Sequence, residues 1–97
     1  MMRMLWIVYA GQDPDGIASR LDALGAQGWT RLDHAHGSGT HGRVEGSRAW
    51  PGEETVFIIV APVARANAIA DGIAAAQSTL AAGERLHVAV LPVERFQ

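Results

Sequence analysis

The chain contains no cysteine, which excludes disulfide bonds, thiolate metal sites and thiol nucleophiles. It also contains no lysine, so all eight of its basic residues are arginines. That excludes Schiff-base chemistry, a lysine general base and the lysine of a Walker-type phosphate loop. Arginine is left as the only permanently cationic side chain available to hold an anion. Charge of either sign is scarce in the balance: the net value of −2 does not advertise a nucleic-acid surface, so no nucleic-acid partner is expected. Long apolar runs are lacking as well. Met4–Ala10 and Val56–Ala61 are too short to span a bilayer, and we expect no membrane insertion and a cytoplasmic location. What is present is a hydrophobic fraction of 48% in 97 residues, enough for one small folded domain over residues 1–97.

Residues 4–10 form an apolar run rich in strand formers that stops at Gly11. Asp13-Pro14 then supplies a helix N-cap and a proline at the first helical position, with Ile17, Leu21 and Leu24 at helical spacing and glycines at 25 and 28 to end it. Trp29–His36 is a second, more polar strand in which Leu32 and Ala35 have opposite parity, implying a bulge or a mixed face. A glycine-rich loop follows over 37–53. Thr55–Ala61 is a third strand, and Pro62 opens a helix carrying Val63, Ile69, Ile73 and Leu80, closed by Gly83. Arg85–Val93 is the last strand. The order βαββαβ predicts an α+β ferredoxin-like sandwich: a four-stranded antiparallel sheet with two helices on one face, strands one and three central. Both central runs are apolar without alternation, and two helices cover only one face. The other face is expected to meet further copies of the chain in a homo-oligomer.

Chemistry concentrates in the loop and its approach. Gly37-Ser38-Gly39-Thr40 offers backbone N–H groups that an anion can approach, and Arg43 and Arg48 can complete such a site with bidentate contacts. The same residues also suit an ordinary surface loop with solvated arginines. His34 and His36 stand two apart on a strand, which predicts one shared face, with His41 or Asp33 as a third ligand for a Zn or Cu ion. Solvent-exposed or cleft-lining histidines are the alternative. Trp50-Pro51-Gly52 has the form of a type II turn with an aromatic anchor. Trp6 and Trp29 read as core or interface residues, and His87 as an edge or interface residue. Asp33 and His34, as strand neighbours, are expected on opposite faces, so no acid–base pair is visible. The junction Ala10–Pro14 lacks the arginine of a phosphatase loop, and the third strand lacks an RNA-binding aromatic motif. A small ferredoxin-like enzyme is therefore the third-ranked reading, and the chain is read as a non-enzyme.

Gly28-Trp29-Thr30, then Gly37-Ser38-Gly39 and a loop, resemble the second strand and loop entrance of PII signal-transduction proteins. Thr55–Ala61 with Pro62 and a long helix is similar to that family's third strand and second helix, and Val88–Phe96 to its last strand. The resemblance implies the wider PII-like superfamily: trimers whose sheets face one another and which bind adenine nucleotides in clefts between subunits, at the base of the loop after the second strand. Carried onto this chain, it marks Thr30 and the Gly37–Gly39 backbone as nucleotide contacts. With His36, Thr40, Arg43 and Arg48, these are the candidate ligand-binding residues. The departures are specific. Leu80–Arg85 stands where the core family has a phosphate loop with glycines and a lysine, the sequence runs only to Gln97 without that family's basic continuation, and the only tyrosine is in the first strand. Uridylylation control is thus not expected. The expectation is a homotrimeric signalling protein that binds AMP, ADP, ATP or another anion, with the 37–53 loop available to a protein partner. The alternative is a metal-binding trimer of the copper-tolerance type using His34, His36 and His41.

Overall fold

The fold was taken from a computed structural model, which describes residues 1–39, 42–43 and 53–97. In chain order it comprises β1 (Met2–Ala10), α1 (Pro14–Ala23), β2 (Thr30–His36), β3 (Ser38–Gly39), β4 (Gly42–Arg43), β5 (Glu53–Pro62), α2 (Val63–Ala76), a short 3-10 turn (Gln77–Thr79) and β6 (Arg85–Val93). The main sheet has the order β2-β5-β1-β6 with antiparallel pairing throughout, so the two unbroken apolar runs are its central strands, as expected. β3 and β4 pair with each other as a separate two-residue ladder. The ferredoxin-like α+β architecture is thereby shown.

Local chemistry sets the helix ends. Asp13 caps α1, its Oδ1 accepting the Gly16 N–H at 3.0 Å, with Pro14 behind it at the first turn. At the other end Gly25 takes φ +87, the Ala26 N–H donates to Leu21 O at 3.0 Å and the Gly25 N–H to Asp22 O at 3.1 Å, a Schellman closure that needs the glycine. α2 does not run to Gly83. It stops at Ala76 because Ser78 and Thr79 hydroxyls turn back onto the carbonyls of Ala75 and Ala76, at 2.9 and 2.8 Å, and satisfy the last helical acceptors. Gly83, with φ +87, serves the turn into β6 instead.

Leu5, Ile7 and Tyr9 of β1, Phe57 and Ile59 of β5 and Leu86 of β6 face α1 and α2 and meet Leu21, Ile69 and Ile73 in the core. Trp29 packs edge-to-face on Phe57, with centroids 5.6 Å apart, and so belongs to the core's rim. Trp6 does not. It lies on the opposite face between Ile58 and Ala89, 42% exposed, in company with Leu32 and Leu91. This second face has Met4, Val8, Val56 and Val60 in register beside them, so it is apolar and uncovered by either helix. No helix among the described residues is long and apolar enough to cross a membrane.

Candidate functional site

β2 carries a bulge, which decides between the bulge and the mixed face that its parity break left open. Leu32 stands opposite Val56 and Ala35 opposite Glu54, so β2 spends three steps where β5 spends two. The extra residue is absorbed at His34, whose φ of 62 makes it the single non-glycine residue in the left-handed region among those described. Its Nδ1 lies 2.5 Å from Glu53 Oε2, a compensating contact for an unfavourable backbone. The left-handed step also breaks strand alternation. Asp33 and His34 do not diverge, as regular strand geometry predicts, but line the same cleft of about 310 Å³ together with Arg31, Glu53, Glu54 and Thr55.

This cleft is acidic. Arg31 is its one arginine, and it is already engaged: Nη1 meets Asp15 Oδ1 at 2.7 Å and Nε meets Asp33 Oδ1 at 2.8 Å, while the guanidinium sits 5.9 Å from the Phe57 ring centroid. Asp15 first, and then Asp33, raise the Arg31 pKa above its ordinary value. The Glu53 hydrogen bond, with the Glu53 charge behind it, raises the His34 pKa. The imidazolium form of His34 is thus favoured beside Glu53, and the charged contact fades as pH climbs through that raised value.

The remaining candidate residues spread along β2 and past it. Thr30 is exposed at the far end of the strand, beside Ile58. At ~3.3 Å per residue it lies roughly 20 Å from Gly37. His36 is exposed and opposite Glu53. Gly37 closes tightly on β5: a Cβ there would come within 2.5 Å of Glu54 Oε1. Beyond it, Ser38 pairs with Arg43 and Gly39 with Gly42, which turns the loop base into a backbone ladder. Thr40, His41, Arg48 and the Trp50-Pro51-Gly52 turn lie outside the described residues. Among the described residues no three ligating side chains converge to hold a metal, and His34 is committed to Glu53. His87 is exposed on the uncovered face, opposite Val8.

Two features were not singled out from the sequence. A smaller cleft of about 200 Å³ opens at the Thr30 end, lined by Gly28, Val60, Pro62 and Arg65, with Arg65 Nη1 donating to Gly25 O at 2.7 Å. The other is a buried polar contact at the loop end. The Tyr9 hydroxyl donates to Glu84 Oε2 and accepts the Asp13 N–H at 3.1 Å, joining β1, the start of α1 and the turn before β6. A tyrosine ending an apolar strand and a glutamate beside a glycine were the available signals, but nothing local pairs them. Burial, reinforced by the Glu84 carboxylate, pushes the Tyr9 pKa up to about 12. The neutral phenol is thus favoured in the fold. Its contribution to stability should be complete below pH ~10, the ordinary tyrosine value, and should vanish as pH rises through about 12. Because the chain has one tyrosine, an ultraviolet titration reads this site alone, and its tyrosinate should form near 12. A midpoint near 10 in the folded protein would show the hydroxyl to be free.

Arg85 stands next to this contact, opposite Ala10, and by alternation on the uncovered face at the same end of the sheet as Gly37. Its side chain makes no hydrogen bond or ion pair with another described residue.

Comparison with solved structures shows the same fold in proteins of low identity. CPII from Thiomonas intermedia K12, in complex with ADP and bicarbonate, is 21% identical with a TM-score of 0.66, over 97% of this chain and 89% of that one. A DUF3240 family protein from Shewanella baltica OS155 is 21% identical with a TM-score of 0.65, over 98% of this chain and 93% of that one. The GlnK–ATP complex of B. subtilis is 16% identical with a TM-score of 0.56, over 94% and 83%. Comparison with curated proteins gives no match. The family model for nitrogen regulatory protein P-II matches residues 2–97, essentially the whole length over which the sheet, the helices and the loop base have been described, and the chain belongs to that family.

Proposed function

We propose that this chain is a homotrimeric regulatory protein that binds a small anionic effector, an adenine nucleotide or a smaller anion such as bicarbonate, between protomers at the base of the loop after β2. The observation that carries the reading is the uncovered apolar face around Trp6, Leu32 and Leu91, which a monomer would leave in water. Burying it against other copies places the edge strand β2 of one protomer at a seam. The separation along β2 points the same way. Thr30 and Gly37 are further apart than a mononucleotide reaches, so one ligand touching both kinds of contact takes them from neighbouring protomers. The CPII and GlnK complexes with ADP, bicarbonate and ATP support an anionic effector in this fold.

The electrostatics favour a modestly charged ligand. Asp33, Glu53 and Glu54 line the loop-base cleft and Arg31 is spent on Asp15 and Asp33, so a highly charged triphosphate meets repulsion there. Arg43 and Arg48, with the glycine N–H groups of 37–39, supply the attraction. A thermal-shift series with AMP, ADP, ATP and bicarbonate tests the proposal. A ligand at ~100 times its Kd adds about 2.7 kcal/mol of stability, a readily measured shift. Arg43→Ala and Arg48→Ala should each weaken the stabilising ligand about tenfold, the loss of one charge-assisted contact. Undiminished affinity in both variants would remove the site from this loop.

A further inference from the structure

The strand registers place His87 at the end of one row across the uncovered face. It stands opposite Val8, Val8 opposite Val56, and Val56 opposite Leu32. The next two rows, through Trp6 and through Met4, hold only apolar side chains and Thr30. Across these three rows His87 is the one titratable group. The charged groups that face it are few. Arg85 lies two positions earlier on β6, on the same face and roughly 7 Å away. Glu54 of β5, the residue before Thr55, is two strand spacings off, about 10 Å, and its carboxylate lies against Gly37. β1 and β2 bring no ionisable side chain to these rows, and the His87 side chain makes no hydrogen bond or ion pair with another described residue. Histidine is the side chain whose ordinary charge change falls between about pH 5 and 8. Uncharged, an imidazole continues the apolar row. As imidazolium it carries a charge into a surface with no carboxylate in contact and an arginine beside it, so burial and the like charge both oppose closure.

We propose that His87 makes the assembly of this chain acid-sensitive: with His87 neutral the uncovered face closes against other copies, and with His87 protonated it opens. This rests on the proposed homotrimer and adds its regulation. Because the proposed effector site is built between protomers, acid releases the effector together with the assembly. The sign follows from linkage. The free protomer takes up a proton at His87 more readily than the assembled one, so association strengthens as pH rises through the histidine range and weakens as pH falls.

The test is light scattering coupled to size exclusion on the full chain at about pH 7.5 and about pH 5.5. The wild type, His87→Gln and His87→Arg are compared over a concentration series, with circular dichroism on the same samples. The proposal expects the wild type to be assembled at the higher pH and to need about tenfold more protein for half-assembly at the lower, with helix content unchanged. His87→Gln should assemble equally well at both, and His87→Arg, which fixes the charge, should be as weak at the higher pH as the wild type is at the lower. Should His87→Gln not fold, His87→Leu, which continues the apolar row, takes its place. A wild type insensitive to acid, an equal acid loss in His87→Gln, or loss of helix content along with the mass overturns the proposal. A wild type that is monomeric at the higher pH refutes the homotrimer itself, and the inference with it.

Discussion

Replacing Gly11 with alanine is expected to lower the thermal unfolding midpoint by roughly 10–20 °C, the equivalent of ~3 kcal/mol in a domain of this size. The glycine closes β1, and a Cβ built on it would stand 2.2 Å from the Tyr9 oxygen, 2.4 Å from Tyr9 Cζ and 2.7 Å from Glu84 Oε2. None of these atoms can retreat cheaply. The tyrosine ring is locked in the core and its hydroxyl is held by Glu84 and the Asp13 N–H, so the added methyl both overpacks the junction and breaks a buried hydrogen bond. Gly28 is the control. A Cβ there meets nothing within 4 Å, and Gly28→Ala should change stability by no more than about 0.5 kcal/mol. Equal midpoints for the Gly11 and Gly28 variants would show that the close approach at Gly11 is not rigid.

Trp6→Glu is expected to convert the assembled protein to monomers at micromolar concentration, read by light scattering coupled to size exclusion. Trp6 occupies the middle of the uncovered face on a central strand, between Ile58 and Ala89. A carboxylate there costs the free monomer little, because the position is 42% exposed, but an interface would have to desolvate it without a partner. The same variant should lose effector binding together with assembly, since the proposed site is made of two protomers. An unchanged assembled mass in Trp6→Glu would move the interface off this face. A wild-type monomer would refute the intersubunit site.

Much of the framework is legible residue by residue. Asp13-Pro14 and Gly25 act within four positions of themselves, so the limits of α1 follow from local geometry. The unbroken apolar runs mark β1 and β5 as central because only strands flanked on both sides can use apolar residues at every position. The opposite parity of Leu32 and Ala35 signals a bulge or a mixed face, because one extra residue flips every later side chain, and the register with β5 decides for the bulge. The end of α2 was less legible. Ser78 and Thr79 were equally compatible with two further helical turns, and Gly83 was the more visible stop. Of the proposed site, the cluster of glycines and histidines after β2 was visible in the sequence, whereas the acidic character of the cleft beside it was not.

By itself, then, the sequence determined the order of elements, the pairing of β1 with β5 at the centre and the presence of an apolar face that no helix covers. These depend on periodicity and on neighbours a few residues apart. Tertiary structure alone decided that Arg31 is neutralised by Asp15 across the β2–α1 gap, that Asp33 and His34 share a cleft, and that Tyr9 binds Glu84 from 75 residues away. Each of these is a contact between side chains whose separation along the chain carries no periodic signal, brought together only because strand order and a left-handed residue set where the backbone passes.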